Sequence, residues 1–491
     1  MTLNSLPDNI LLEIFAFRLS SAFSGFSHST VTMEWQKLVQ VCQRWKEIIY
    51  GSPRYLKLHL HCSNATPFRE NHSRWPEFPL ILEYTFYADE DDSEDVADII
   101  AAFEQPNRVH IIILTIASFF SRGDNVLQKM NVSFPALTHL DLMGPDHYDD
   151  HEGIVLPRGF LGGSAPCLQH LRFNAVNTSL FQELPSVLFS ARGLVSLRLE
   201  DIPDCLGYIS PEAMVRGLAG STEFRTLSIL FRFPEEPPEP NEGLEHRRRP
   251  EPPMRAILPA LTEFIFSGES AYLEDLMAQI DMHSVEDIKI DYFPPGAEVR
   301  ELSRFIGRTE HLGLVQFEHA KVEIDVEAAY SHIKLDHPQG ERLQVRFSLG
   351  MILSESDEDP TLDELVACMG RLLGQITPLL SDVGHLSFKG QQAWDRSLNR
   401  LDDSRLLPFI HLFPAVEALH VYGVLARHFG TELENIDEER ISEVMPTLRS
   451  LQLGDGNGPV GSVGSIERFL TLRQLSGHPV AIDTPSTRKS D

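Results

Sequence analysis

The feature that most constrains how this 491-residue chain can fold is a six-residue pattern, apolar-x-x-apolar-x-apolar, that recurs ten times from about residue 134 onward. The copies are Leu137/Leu140/Leu142, Leu168/Leu171/Phe173, Leu194/Leu197/Leu199, Phe224/Leu227/Ile229, Leu261/Phe264/Phe266, Val285/Ile288/Ile290, Leu312/Val315/Phe317, Val383/Leu386/Phe388, Val416/Leu419/Val421 and Leu448/Leu451/Leu453. Steps between copies are mostly 24 to 37 residues, and five copies carry a proline two places ahead: Pro135, Pro166, Pro259, Pro414 and Pro446. Apolar positions two apart read as a short strand. Helical stretches fill the gaps, as at 210–218, where Ser210 suits the N-cap, Pro211 the first helical position and Glu212 the first turn. Strand then helix, repeated, predicts an α/β fold: a parallel sheet on the concave side of a curved solenoid, with helices outside.

Alternation along a strand assigns the opposite face. If the second and third apolar positions enter the core, their neighbours line the concave surface. Those neighbours include His139, Asp141, His170, Arg172, Arg198, Lys289, Lys389, His420 and Tyr422. Arginine and aromatic side chains dominate interface energetics, so Arg172, Arg198, His420 and Tyr422 are the substrate-binding candidates.

Around this array, 134–483, the remaining segments fall into place. Strand-like runs at 56–61, 79–86 and 109–116 predict atypical first repeats over 56–133. The interval 318–382 holds a strand at 343–347 and a helix at 361–375, a degenerate repeat. A helix at 465–476 and a strand at 479–482 would cover the last sheet edge. Three insertions read as solvated loops: 234–253, with seven prolines and Arg247, Arg248 and Arg249; 89–95, acidic at six of seven positions; and the acidic 354–360. The tail 484–491 is expected to be disordered.

Charge narrows the function. The chain carries a net −29, whereas residues 1–60 hold six Lys and Arg against four Asp and Glu. An acidic body repels phosphate backbones and anionic lipid, so neither nucleic acid nor membrane is an expected partner. No secretory signal is evident, and the longest apolar stretch, 109–120, is too short to span a bilayer. Five scattered cysteines without a C-x-x-C pair point to reduced thiols in the cytoplasm or nucleus.

Ahead of the array, Leu6, Pro7, Asp8, Ile10, Leu11, Ile14 and Phe15 mark one helix, with Pro7 at its start. Trp35, Leu38, Val41, Cys42, Trp45, Ile48 and Ile49 mark a second, stopped by Gly51 and Pro53. So small a helix pair cannot enclose its own apolar surface, which calls for a partner. Residues 1–55 resemble an F-box. The resemblance implies docking to the adaptor of an SCF-type cullin ubiquitin ligase through Leu6, Pro7, Ile10, Ile14, Phe15, Val41, Cys42 and Trp45. The repeats behind it resemble irregular leucine-rich repeats, in the order found in a large fungal F-box family. The implied role is a substrate-recognition subunit, with the array binding a protein substrate. The alternative is a repeat scaffold without a ligase, its N-terminal helices serving only as a cap.

Catalytic signatures are not visible, and the chain reads as a non-enzyme with no cofactor. Gly456, Gly458 and Gly461 fit G-x-G-x-x-G, but a dinucleotide fingerprint opens a parallel sheet rather than closing one. His147 and His151 flank Asp149 and Asp150 in one loop without second-site ligands, which reads as a polar turn. Cys42 lies on an apolar helix face and reads as a small hydrophobe.

Overall fold

The computed structural model describes residues 6–20, 34–53, 55–75, 78–87, 93–117, 123–145, 156–175, 184–202, 209–232, 255–293, 300–309, 312, 315–325, 330–337, 344–350, 362–391, 406–436, 438, 441, 444–454 and 466–482. The chain is mixed α/β and divides into two units, Met1–Ile209 and Ser210–Asp491. The insertions at 234–253 and 354–360, the tail 484–491, the glycines at 456–461 and the His147–His151 cluster lie outside the described residues, as does Cys205.

The first unit opens with α1 (Asp8–Ser20), α2 (Glu34–Val39) and α3 (Gln43–Gly51). The second helix expected from its periodicity is therefore two helices. Gln40 and Val41 donate to the carbonyls of Lys37 and Leu38, three residues back. Cys42 is extended, with φ −162° and ψ 166°, and starts α3. Valine and cysteine are weak helix formers, so the break falls where the periodic run is weakest.

Six strands follow: β1 (Leu60–Ser63), β2 (Leu80–Phe86), β3 (Val109–Ile116), β4 (His139–Met143), β5 (His170–Asn174) and β6 (Ser196–Ile202). They are parallel neighbours in chain order. The first begins four residues later than its apolar run. Register stacks the repeat: Leu140, Leu171 and Leu197 are opposite one another, as are Leu142, Phe173 and Leu199. All six are buried. Burying a leucine side chain contributes about 1.5–3 kcal/mol, so the ladder is a main source of cohesion. The acidic 89–95 segment enters a helix at its end, Ser93–Phe103, whose first turn holds Glu94 and Asp95 where the helix dipole favours them. From that helix the buried Asp98 accepts hydrogen bonds from Tyr84 Oη and from the amides of Phe68 and Arg69, tying the short helix Phe68–His72 to the sheet.

The recurring prolines have one local job. In each of the five copies, the first apolar residue donates its amide to the carbonyl just before the proline: Leu137 to Phe134, Leu168 to Ala165, Leu261 to Leu258, Val416 to Phe413 and Leu448 to Met445. Proline thus occupies the second position of a β-turn, where its fixed φ is already correct. The turn aims the chain into the next strand.

The second unit holds β7 (Thr226–Phe231), β8 (Ala256–Leu258), β9 (Glu263–Glu269), β10 (Ile280–Met282), β11 (Asp287–Phe293), β12 (His319–Asp325), β13 (Tyr330–Asp336), β14 (Gln344–Gly350), β15 (His385–Gln391), β16 (Ala418–Gly423), β17 (Ser450–Gly454) and β18 (Ala481–Ile482). Its large sheet runs β7-β9-β11-β14-β13-β12-β15-β16-β17-β18, with β8 and β10 paired separately. Two expectations are corrected here. The copy Leu312/Val315/Phe317 is not a strand; Leu312 and Phe317 are buried ahead of β12, where Ala320, Val322 and Ile324 alternate inward. The interval read as one degenerate repeat contains a three-stranded antiparallel meander, β12-β13-β14. An odd number of strands lets β14 run parallel to β11 and β12 parallel to β15, so the flanking parallel order is kept. At the far end β18 pairs with β17 and covers part of its edge.

Candidate functional site

Helix α1 carries two apolar stripes. Leu11, Phe15 and Leu19, spaced by four, are buried, and Phe15 sits edge-on to Trp45 with ring centroids 4.8 Å apart. A second stripe, Ile10, Ile14 and Phe17, steps by four and then three and points outward, at 42%, 43% and 81% exposure. Pro7 is exposed at the same end and Val41, in the break between α2 and α3, is 58% exposed. Leu6, Cys42 and Trp45 are half-buried. A surface helix normally keeps one polar side, so a second apolar stripe is unfinished surface. Phe17 was missed in the sequence, although its spacing of three from Ile14 and seven from Ile10 was a sufficient signal.

What holds this stripe in place is polar at the ends and aromatic beneath. Arg44 bridges the start of α1, donating to Asp8 Oδ1 at 2.5 Å and to the Leu6 carbonyl at 2.6 Å. Tyr55 donates to Glu13 Oε1 at 2.6 Å, which raises the phenol above its ordinary range. On the opposite side Trp35 is buried against Tyr50, Trp75 and Phe78, and its Nε1 donates to the His59 carbonyl at 3.1 Å. The helices therefore have an inner face fixed to the start of the sheet and an outer face that is apolar and open.

The polar sheet face of the first unit is internally paired. Arg172 donates from Nε and Nη2 to Glu200 Oε2 at 2.9 and 2.6 Å, with Asp141 3.8 Å away. Arg198 lies 4.0 Å from the same Glu200 carboxylate. Register places Arg172 opposite Arg198, a like-charge contact that Glu200 relieves. Burial lowers the Arg172 pKa, but Glu200 and Asp141 override it and hold the guanidinium above its ordinary range. Beside this network the imidazoles of His139 and His170 stack at 4.3 Å, and those of His59 and His110 meet edge-on at 5.7 Å. Burial and neighbouring imidazoles push His59 and His139 down to about 4. Cys62 is pushed up to about 12 by burial, next to Asp98, and is not a nucleophile at neutral pH.

In the second unit His420 and Tyr422 meet at 6.2 Å on the outward face of β16, and Tyr422 Oη donates to Gln452 Oε1 at 3.2 Å. Burial raises the Tyr422 pKa. Two strands away Glu323 receives Lys321 at 2.9 Å and Lys389 at 3.2 Å. Burial raises its pKa, but the two lysines and His332 override this and hold the carboxyl below its ordinary range.

Among the described residues no group of three or more His, Cys, Asp or Glu is placed to hold a metal ion, and no helix is long and apolar enough to cross a membrane. The chain matches no protein-family model, and no curated protein matches it.

Proposed function

We propose that the chain is a substrate-recognition subunit of an SCF-type cullin ubiquitin ligase, its N-terminal helices docking the adaptor as an F-box and its leucine-rich-repeat-like sheet face binding a protein substrate. The observation that carries this reading is the exposed stripe of Ile10, Ile14 and Phe17, with Pro7 and Val41 exposed as well. Exposed large apolar residues elsewhere, such as Tyr87, Phe189 and Leu475, are isolated in sequence. A cap that served only to close the sheet would need the Trp35 face and not this one. In this reading the chain performs no covalent chemistry. It acts by holding substrate and ligase on one chain, so that transfer to a substrate lysine proceeds at a high effective concentration.

Co-purification with the adaptor tests the reading. The intact chain should capture adaptor and cullin, and the combined Leu6→Ala, Pro7→Ala and Ile14→Ala variant should not. Central interface truncations cost about 2 kcal/mol or more each, enough together to abolish a typical complex. Capture by a folded triple variant at the level of the intact chain would exclude the stripe as the docking surface.

A further inference from the structure

The second unit aligns four cations where cross-strand physics disfavours them. Register places Lys289 opposite Arg346, Arg346 opposite Lys334, and Lys334 opposite Lys321, on the adjacent strands β11, β14, β13 and β12. Like charges directly opposite each other on neighbouring strands are destabilising. Here the contact occurs three times in succession, in a chain whose net charge is −29. Three of the four lean on carboxylates of their own strands: Lys289 on Asp287 at 2.7 Å, Lys334 on Asp336 at 2.8 Å and Lys321 on Glu323 at 2.9 Å. Arg346 has a buried Nε with no hydrogen-bond partner among the described residues. The side chains of Lys289, Lys334 and Lys321 are all partly solvent-exposed, so the row can be reached from outside.

We infer that this row of four cations is the recognition site for an extended, carboxylate-rich segment of the protein substrate. The inference deepens the substrate half of the proposed function and rests on it. Strands about 4.8 Å apart make the row about 14 Å long, which an extended chain of four or five residues covers at about 3.3 Å per residue. A ligand laid across the strands places its carboxylates over the row and offsets the like-charge cost that folding alone leaves. The acidic positions to either side, Asp287, Asp336 and Glu323, hold the lysine heads in line.

Fluorescence anisotropy with a labelled Asp/Glu-rich dodecapeptide, on the full chain at low salt, tests the site. The peptide should bind, its Asn/Gln counterpart should bind at least tenfold more weakly, and added salt should weaken the complex. Replacing Lys321, Lys334 and Arg346 by Gln should weaken binding at least tenfold, read at a temperature where circular dichroism shows the variant folded. Should that variant be unstable, Lys334→Gln alone should still weaken binding severalfold. Arg216→Gln, an exposed position on the helix Pro211–Leu218, serves as the control and should leave binding unchanged. Equal affinity for the two peptides, or full affinity in folded Lys334→Gln and triple variants, overturns the inference. So does peptide binding that appears only after Glu355, Asp357, Glu358 and Asp359 are neutralised, which would make the chain's own acidic segment the occupant. Adaptor capture by the same samples reads the ligase proposal separately: a chain that captures adaptor but ignores the peptide fails here alone.

Discussion

Arg473 shows how much a single side chain can carry that periodicity does not announce. It is fully buried in the helix Glu467–Leu475, and its guanidinium faces the carbonyls of Ile441, Met445 and Leu448 at 3.2–3.5 Å. Burial lowers its pKa, and the carbonyl acceptors compensate for lost water. Arg473→Ala removes the donor to the Ile441 and Leu448 carbonyls in the interior, and each costs about 1–3 kcal/mol, so chemical denaturation should show a loss of about 2 kcal/mol or more. The same substitution at the exposed Arg449 should change little, since exposed ion pairs contribute about 0–1 kcal/mol. In the sequence Arg473 looks like one more polar position; its burial depends on a chain segment some thirty residues earlier. The histidines are a second case. His59 and His139 titrate near 4 when folded, against an ordinary 6.5. Above pH 6.5 the rings are neutral folded or unfolded. As pH falls from 6.5 through 4, the unfolded chain takes up protons that the folded chain refuses, so stability declines. Glu323, held low, loses its own stabilising charge as pH falls below the ordinary carboxylate range, in the same direction. Melting temperature should therefore drop between pH 7 and 5, and the drop should be smaller in a His59→Gln, His139→Gln variant; a flat profile over that range would contradict the burial of the two rings.

At the scale of elements, the repeated pattern made nine of its ten strands legible, because apolar alternation and a proline turn are both local signals. The tenth failed for a local reason as well: Ala320, Val322 and Ile324 offer a longer alternation that begins just after Phe317. The meander stayed hidden because antiparallel and parallel strands share the same period, and only the pairing tells them apart. The strand-to-helix junction at Gly423 depends on a contact no pattern reveals. Its φ is 71°, and a Cβ there would lie 2.1 Å from the Gly390 carbonyl oxygen on the paired strand β15. Gly423→Ala should cost about 2 kcal/mol or more through strain and clash, read as a fall in melting temperature, whereas Gly384→Ala, with open space around it, should be nearly neutral.

For the molecule as a whole, the N-terminal helices of the first unit carry both a buried and an exposed set of apolar residues. Trp35 anchors the inner side to the sheet, and the outer side keeps Ile10, Ile14 and Phe17 apart from the core. The sequence displayed both sets of residues, but not which would face outward, since a helix apolar on two stripes can bury either. Phe15 illustrates the point: it reads like its neighbours Ile14 and Phe17, yet it packs on Trp45. The central claim is that the outward stripe binds the SCF adaptor, and equilibrium titration of purified adaptor onto the intact chain measures it most directly. Ile10→Asp with Ile14→Asp alters only exposed positions, so the melting temperature should hold. The account predicts micromolar or tighter binding to the intact chain and a loss of at least 100-fold in the variant, about 2.7 kcal/mol. An intact chain that ignores the adaptor while a known F-box protein binds it in the same titration, or a variant that binds as tightly as the parent, would contradict it.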